Sequence, residues 1–250
     1  NKEFFRYKVI IVTGASSGIG LASARLFASY GAYVVLAARS IEKLHEIAEE
    51  LSGDSPGVLC VRTDVSVEED CRNLIEKTVS TFGRIDILVN NAGISMRASF
   101  KEVQLNVLKR LMDVNFWGTV YCTKYALPWL LESKGSVVGV ISVVGYAGLP
   151  GRSGYATSKF AIRGFLETLR MEHECDGLHV LVFAPGYTES NVRYSALLAD
   201  GSLQKETPKD EKNLMSAEKV AARLAYGLSR RKREMILTAL GYWDVWLYKR

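Results

Sequence analysis

The chain is poor in the residues that mark several common protein classes. It has only 5 prolines and 4 cysteines among 250 residues, and no apolar run approaches the roughly 18 residues that a membrane-spanning helix needs. No spacing of the cysteines is typical of a zinc site, so we expect no metal. Isolated cysteines in an apolar chain favour reduced thiols and an intracellular location, in the cytoplasm or at a membrane surface; they are Cys60, Cys71, Cys122 and Cys175.

The charge of the chain is small and unevenly distributed. The formal net charge is +5, and the densest basic run is Arg-Arg-Lys-Arg at 230–233. Such a run can bind nucleic acid or anionic lipid, but it is more often a solvated face. Because no known nucleic-acid-binding motif accompanies it, we predict no nucleic-acid partner.

Apolar segments that have the pattern of strands alternate with amphipathic segments along most of the chain. Strands that are apolar throughout are buried on both faces, and strand–helix alternation calls for parallel pairing with right-handed crossovers. We therefore predict an α/β fold, with a single Rossmann-like, doubly wound domain over 1–250 and helices on both faces of the sheet. The predicted strands are 8–13, 33–38, 58–62, 85–89, 137–141, 178–183 and 234–238, and the predicted helices are 19–30, 41–51, 68–82, 106–131, 155–174 and 217–228.

A glycine-rich turn, TGASSGIG at 13–20, follows the first predicted strand and opens the first predicted helix. Glycines permit a tight turn and a close approach of the backbone to a pyrophosphate, and the helix N-terminus offers unpaired N–H groups to the anion. The alternative is a flexible connection that binds nothing. Its position after the first strand favours dinucleotide binding by Gly14, Ser16, Ser17, Gly18, Ile19 and Gly20.

The end of the second predicted strand bears on the choice between the two nicotinamide coenzymes. An acidic residue there would hydrogen-bond the ribose hydroxyls of NAD, but the chain has Arg39 followed by Ser40. A guanidinium can bind the 2′-phosphate of NADP through paired hydrogen bonds, whereas a carboxylate would repel it. We therefore predict NADP(H) as the cofactor, with Arg39 and Ser40 in its site. The alternative is a surface arginine at the edge of the sheet.

Tyr155 and Lys159 are four residues apart, so they share one face of a predicted helix. A free phenol has a pKa of about 10 and is a poor base at neutral pH. A neighbouring ammonium lowers that pKa, which would let the tyrosine exchange a proton with a substrate oxygen. Ser142 follows the fifth predicted strand, where its hydroxyl could bond the same oxygen. Taken singly, none of these residues indicates catalysis: a Tyr and a Lys at this spacing are usually part of a helix surface, and a Ser after a strand is usually a cap.

The order of these motifs along the chain resembles the short-chain dehydrogenase/reductase family over about 8–238. The family is known for an NAD(P)-dependent exchange between a carbonyl and an alcohol, and the resemblance implies that activity here. The matching motifs are the glycine-rich turn, Asp64-Val65, Asn90-Asn91-Ala92-Gly93, Asn115, Ser142, Tyr155-Ala156-Thr157-Ser158-Lys159 and Pro185-Gly186.

The same resemblance implies a catalytic tetrad of Asn115, Ser142, Tyr155 and Lys159. In this assignment Tyr155 donates the proton during carbonyl reduction, and Ser142 orients the carbonyl. Lys159 holds the nicotinamide ribose, and Asn115 keeps a helix irregularity that holds a proton-relay water. Further implied cofactor contacts are Asp64 and Val65 at the adenine, Asn91, Ala92 and Gly93 beside the central sheet, and Pro185, Gly186 and Thr188 at the nicotinamide.

Two segments outside these motifs bear on the substrate. Segment 143–151 is apolar and suits either the wall of an apolar substrate pocket or core packing. Segment 187–215 is polar and poorly periodic, as expected for a mobile lid beyond the carboxyl end of a strand. Resemblance of the segments around Asn115, Tyr155 and 199–201 to membrane-associated reductases implies an apolar ketone or aldehyde, such as a steroid, a retinoid or a lipid.

The aromatic tail at 239–250 leaves three interpretations open. It could pack on the fold or on a second copy, lie on a membrane surface, or close the substrate pocket. In relatives the helices that begin near 106 and 155 commonly pair, so we expect a homodimer or homotetramer. The alternative function is a nicotinamide-binding regulatory protein with little turnover, against which the complete tetrad argues.

Overall fold

The computed structural model describes residues 2–188, 195–204 and 214–237. Its strands pair in parallel in one sheet with the order β3-β2-β1-β4-β5-β6-β7, which confirms the predicted doubly wound, Rossmann-like fold. Two of the predicted strands have the observed bounds, and the others shift by one or two residues. The strands are β1 (Val9–Thr13), β2 (Tyr33–Ala38), β3 (Val58–Arg62), β4 (Ile87–Asn90), β5 (Ser136–Val140), β6 (His179–Ala184) and β7 (Glu234–Ile236).

The helices connect successive strands. The predicted helix over 106–131 forms, but a π-helical segment, Met112–Trp117, divides it into two α-helices. A short N-terminal helix and a 3₁₀ turn, Val143–Gly145, were not predicted. The α-helices are α1 (Lys2–Phe5), α2 (Gly18–Ser29), α3 (Ile41–Leu51), α4 (Glu68–Phe82), α5 (Leu105–Leu111), α6 (Gly118–Glu132), α7 (Ser153–His173) and α8 (Ala217–Ser229).

Apolar layers cover both faces of the sheet. Because successive side chains of a strand point to opposite faces, β1 contributes to both layers. Val9 and Ile11 pack with α4, α6 and α7, whereas Ile10 and Val12 pack with α2, α3 and α8. All five residues of β1 are buried, which explains why the strand is apolar throughout rather than alternating.

The sheet order reverses between β1 and β4, and this reversal positions the site. From β1 the chain winds outward through β2 and β3, then returns to the other side of β1 to build β4 to β7. The connections after β1 and β4 therefore leave the sheet in opposite directions and open a crevice at the carboxyl ends of the strands.

A third, smaller apolar cluster lies at this end of the sheet and includes Met96, Leu111 and Leu197. Segment 195–204 is bound to the loop after β4, because Leu197 N donates to Ser95 O (2.8 Å) and Arg97 N donates to Leu197 O (2.8 Å). This part of the predicted lid is therefore tied down by backbone hydrogen bonds. The rest of the lid at 189–194 and 205–213, and the aromatic tail at 239–250, lie outside the described residues.

The basic run at 230–233 leads into β7, and part of it supports the fold. The Arg231 guanidinium donates to the carbonyl oxygens of Lys134 (3.3 Å) and Gly177 (2.6 Å), and Arg233 pairs with Glu174. The run is therefore not only a solvated face. In the described part of the chain, no helix is long and apolar enough to cross a bilayer.

His179, at the start of β6, links neighbouring segments of the sheet. Its Nε2 lies 2.8 Å from the carbonyl oxygen of Lys232, which can only accept, so this nitrogen carries the proton. Its Nδ1 lies 3.0 Å from Ser136 Oγ and accepts from that hydroxyl in the neutral ring. Burial is the main cause that lowers the pKa of His179 to about 4.

The lowered pKa of His179 leads us to expect a loss of stability in acid. A folded-state pKa below the unfolded value of about 6.5 means that its stabilisation is complete above that pH and declines as the pH falls towards about 4. Between about pH 7 and about pH 4.5, protonation of His179 should lower the free energy of unfolding of the parent by roughly 2 to 3 kcal/mol. We expect this part of the pH dependence to be absent from His179→Gln. Denaturant titration at both values measures it.

The matched control is His45→Gln, because His45 is exposed on α3. That variant should keep the full pH dependence of the parent. If His179→Gln and the parent lost the same free energy over this range, the protonation of His179 would not be the cause.

Candidate active site

The glycine-rich turn folds tightly over the end of β1. Gly14 has a φ of +66°, in the left-handed region that glycine tolerates best. At Gly20 a Cβ atom would stand 2.2 Å from the carbonyl oxygen of Gly14, so the first turn of α2 can pack here only with glycine. These two glycines therefore let the turn pack tightly against Ala92 and against its own backbone.

Thr13 joins this turn to the segment that follows β4. Its Oγ1 accepts from the backbone N–H groups of Asn91 and Ala92, each at 3.0 Å. The Asn91 side chain donates back to the carbonyl oxygen of Thr13 at 2.9 Å. These bonds place Ala92 and Gly93 beside the glycine-rich turn, where Asn91 supports the central sheet as the family resemblance implies.

A cleft of about 630 Å³ runs along this junction, which we call the dinucleotide cleft. Most of the predicted cofactor residues line it: Gly14, Ser16, Ser17, Gly18, Ile19, Arg39, Ser40, Asp64, Val65, Asn91, Ala92 and Gly93. Gly20 lies behind the turn. The lining also includes Arg110, Asp113 and Val114, which were not predicted, although their helical spacing before Asn115 could have indicated them.

At one end of the dinucleotide cleft, charges surround Asp64. Its Oδ1 accepts from the backbone N–H (3.0 Å) and the hydroxyl (2.7 Å) of Ser66. Burial raises the pKa of Asp64, but these hydrogen bonds and the charges of Arg39 and Arg110 outweigh it, so the pKa lies below its usual value. The carboxylate is therefore ionised at neutral pH, and Arg39 is exposed beside it.

A second cavity, of about 170 Å³, adjoins the dinucleotide cleft, and we call it the reaction cavity. The two spaces share the lining residues Ile19, Asn91, Gly93 and Ile94. Three of the four predicted catalytic residues meet in its lining, together with the predicted nicotinamide contacts: Ser142, Tyr155, Lys159, Pro185, Gly186 and Thr188.

The electrostatics of the tyrosine differ from the sequence prediction. Burial raises the pKa of the Tyr155 phenol, and a hydrogen bond with Ser142 and the charge of Arg152 offset this only in part. Lys159 Nζ lies 5.7 Å from the centre of the Tyr155 ring and donates to the carbonyl oxygen of Val140 at 2.9 Å. Burial lowers the pKa of Lys159 to about 8. Because desolvation dominates, the net shift of the phenol pKa in this structure is upward, opposite to the lowering that the sequence predicts.

Asn115 lies in the π-helical segment, fully buried. Its Oδ1 accepts from the N–H of Ile94 (2.8 Å), and its Nδ2 donates to the carbonyl oxygen of Ile94 (3.0 Å) and to Ser158 Oγ (2.9 Å). The implied helix irregularity is thus present at this residue. Asn115 lies behind the wall formed by Gly93 and Ile94, outside the described linings of both spaces.

Thr188 and Arg152 are two further polar residues in the lining of the reaction cavity. Thr188 follows β6 and is buried, and its hydroxyl donates to the carbonyl oxygen of Gly186 at 3.1 Å. Arg152 was not predicted, although its position just before the helix that carries Tyr155 could have indicated it. Its Nη1 donates to Ser95 Oγ (2.7 Å) and to the carbonyl oxygen of Met96 (2.5 Å).

Solved structures share this architecture. A chain described as an alcohol dehydrogenase from the archaeon Thermococcus sibiricus, complexed with 5-hydroxy-NADP, superposes with a TM-score of 0.82 at 26% identity, covering 93% of this chain and 96% of that one. A short-chain dehydrogenase/reductase from Burkholderia phymatum, in complex with NAD, gives a TM-score of 0.87 over 97% of this chain and 93% of that one. At 23% identity, the second likeness supports the fold alone.

Similar sequences agree with this likeness. Dehydrogenase/reductase SDR family member 7B of Mus musculus is 34% identical over 243 residues, which are 95% of this chain and 75% of that protein. 11-beta-hydroxysteroid dehydrogenase A of Sesamum indicum is 44% identical over 187 residues, but this match spans only 53% of that protein and 74% of this chain. A family profile described as short chain dehydrogenase matches residues 8–198. The chain belongs to the short-chain dehydrogenase family of oxidoreductases.

Proposed function

We propose that this protein interconverts a carbonyl and an alcohol with NADP(H), and that it reduces an apolar ketone or aldehyde. One observation carries the proposal: Tyr155, Ser142 and Lys159 line a single cavity that opens onto a glycine-bordered cleft. A proton donor, an oxygen-binding hydroxyl and a coenzyme site are thus adjacent, which is the arrangement that carbonyl reduction requires.

The dinucleotide cleft fits a nicotinamide coenzyme by its shape and its chemistry. The glycine-rich turn borders the cleft at Gly14 and Gly18, and the lining continues from Asp64 past Gly93 to the reaction cavity. Asp64 and Val65 would hold the adenine, the glycine-rich turn the pyrophosphate, and Lys159 and Thr188 the nicotinamide end. When bound, the nicotinamide supplies the hydride for reduction or accepts it in oxidation.

The preference for NADP(H) rests on the end of β2. Arg39 and Ser40 are exposed and line the dinucleotide cleft, where an acidic residue would repel a 2′-phosphate. Among the described residues, none accepts a hydrogen bond from the Arg39 guanidinium, so its donors remain available for a phosphate. The Thermococcus chain is described with an NADP derivative and the Burkholderia chain with NAD, so the fold alone does not decide between them.

Tyr155 is the proton donor in this proposal. The raised pKa keeps its phenol protonated at neutral pH, which is the form that carbonyl reduction consumes. Ser142 hydrogen-bonds the substrate oxygen and stabilises the negative charge that develops there. Lys159, with a pKa of about 8, can gain or release a proton near neutrality and so help to restore the phenol. Asn115 acts from behind, by fixing Ile94 and Ser158.

Apolar walls of the reaction cavity favour an apolar substrate such as a steroid, a retinoid or a lipid. Val143, Val144 and Leu149, from the predicted wall segment, line the cavity together with Tyr187, which is 63% exposed. The name of the sesame relative, a hydroxysteroid dehydrogenase, agrees with this class.

We also expect a homodimer or homotetramer. The aromatic side chain of Trp117, beside α6, is 43% exposed, so an apolar contact surface is available there. A peripheral membrane contact would depend on the tail at 239–250.

Replacement of the phenol tests the proposed chemistry. We expect Tyr155→Phe to lower turnover at least about 100-fold, because the proton donor is lost, while the affinity for NADPH changes by less than about twofold. The decrease of NADPH absorbance with steroid, retinal, quinone and short-chain ketone substrates measures turnover, and NADPH fluorescence measures binding.

Tyr226→Phe on α8 is the control, because this tyrosine is 40% exposed and is not part of the described lining of the reaction cavity. It should keep the parent's rate. Undiminished turnover in Tyr155→Phe would rule out the assigned role, and a parent that binds NADPH but reduces none of the panel would favour the regulatory alternative.

Replacement of Arg39 tests the coenzyme preference. Loss of charge-assisted hydrogen bonds to a phosphate costs about 1.5 to 3 kcal/mol, so Arg39→Ala should weaken NADPH binding roughly 10- to 100-fold. NADH binding should change little, since NADH lacks the phosphate. Arg62→Ala is the matched control, because exposed Arg62 pairs in register with Ala38 on the adjacent strand but does not line the cleft. Equal affinities of the parent for NADPH and NADH would contradict the assignment.

A further inference from the structure

Arg152 fastens the start of α7 to the loop that follows β4. Its Nη1 donates to two oxygens of that loop, Ser95 Oγ and Met96 O, at 2.7 and 2.5 Å. Both acceptor residues are buried, and a backbone bond from Ala98 N to Gly151 O (3.1 Å) adds a second link between the same two segments. The turn that presents Tyr155 is therefore held at its base by a side chain.

The position of this cation is unfavourable for the helix by itself. Arg152 is the N-cap residue of α7, and the positive end of the helix dipole disfavours a cation there. The hydrogen bonds to the loop compensate for this cost. They also hold the guanidinium in the lining of the reaction cavity, to which Tyr155 belongs as well.

Two charged side chains line the described part of the reaction cavity, and they differ in the permanence of their charge. Lys159, with a pKa of about 8, is only partly charged as the pH rises above neutrality. A guanidinium stays protonated throughout the range in which the protein is folded. The hydrogen bond with Ser142 and the charge of Arg152 both act against the effect of burial on the pKa of Tyr155.

We propose that Arg152 is a positioning residue of the reaction, which fixes the first turn of α7 against Ser95 and Met96 and keeps a permanent positive charge in the lining of the cavity that Tyr155 also lines. The inference rests on the proposed role of Tyr155. When the phenol gives its proton to the substrate oxygen, the phenolate that remains is stabilised by this charge, and the approach of the phenol to the substrate depends on the fixed turn.

Two substitutions separate the charge from the attachment. Arg152→Gln removes the charge but keeps an N–H donor, whereas Arg152→Lys keeps the charge but loses the forked guanidinium. In protein labelled with ¹³C at the tyrosine ring, the Tyr155 signal is the one that Tyr155→Phe removes, and its shift with pH gives the ionisation midpoint directly. We expect the midpoint to rise by at least about half a pH unit in Arg152→Gln and by less in Arg152→Lys.

The pH dependence of turnover should also change more in Arg152→Gln than in Arg152→Lys. In the direction of alcohol oxidation, which needs the phenolate, the rise of activity with pH should move to higher pH in Arg152→Gln. Arg163→Gln is the matched control, because Arg163 lies on the same helix but pairs with Glu167 at 2.7 Å and stacks over Tyr146. It removes an equal charge and should leave the Tyr155 midpoint in place.

An unchanged Tyr155 midpoint in Arg152→Gln would overturn the proposal. The Tyr155 midpoint is measured without substrate. If the parent reduced no carbonyl, the proposed function would be contradicted, but the effect of Arg152→Gln on the midpoint could still be measured. If Arg152→Gln failed to fold, Ser95→Ala would replace it, since it removes one of the two acceptors and keeps the charge. We then expect a lower kcat with a small rise in midpoint, and no change in either quantity would overturn the proposal.

Discussion

The hydroxyl of Thr13 joins the two halves of the sheet where the functional groups converge. It accepts two backbone N–H groups of the segment after β4, while Asn91 returns a bond to the end of β1. The strands β1 and β4 are already paired, and these bonds extend the connection to the turns that follow them. With them, the glycine-rich turn and Gly93 form one continuous wall, and the reaction cavity opens from its end.

The fold was predictable because strands that are buried on both faces of a sheet are apolar throughout, and such runs are easy to recognise in the sequence. Strands β2 and β3 begin and end at the predicted residues, since their apolar runs stop where the sheet stops. The π-helical segment was not predictable from periodicity, because the apolar pattern continues through it. Within this segment the Asn115 side chain bonds the backbone of Ile94, a contact between distant residues that periodicity does not record.

The positions of the candidate site residues could be predicted, but their electrostatics could not. A spacing of four residues places Tyr155 and Lys159 on one face, yet it does not show how deeply each group is buried. The cluster of Met96, Leu111 and Leu197, drawn from three separate segments, packs against the tyrosine and leaves it partly buried. Desolvation therefore sets the direction of both pKa shifts, and Arg152, brought in by tertiary packing, opposes it at Tyr155.

The wide turn at Met112–Trp117 also has a consequence for comparing relatives. A π-helical turn holds about one residue more than an α-helical turn of equal length, so it is equivalent to a single-residue insertion. If a homologue had a regular α-helix here, an ungapped alignment would set α6 one position out of register, and Gly118, packed against Val65, would be matched to the wrong residue. Homology models should therefore be checked for a gap within this turn.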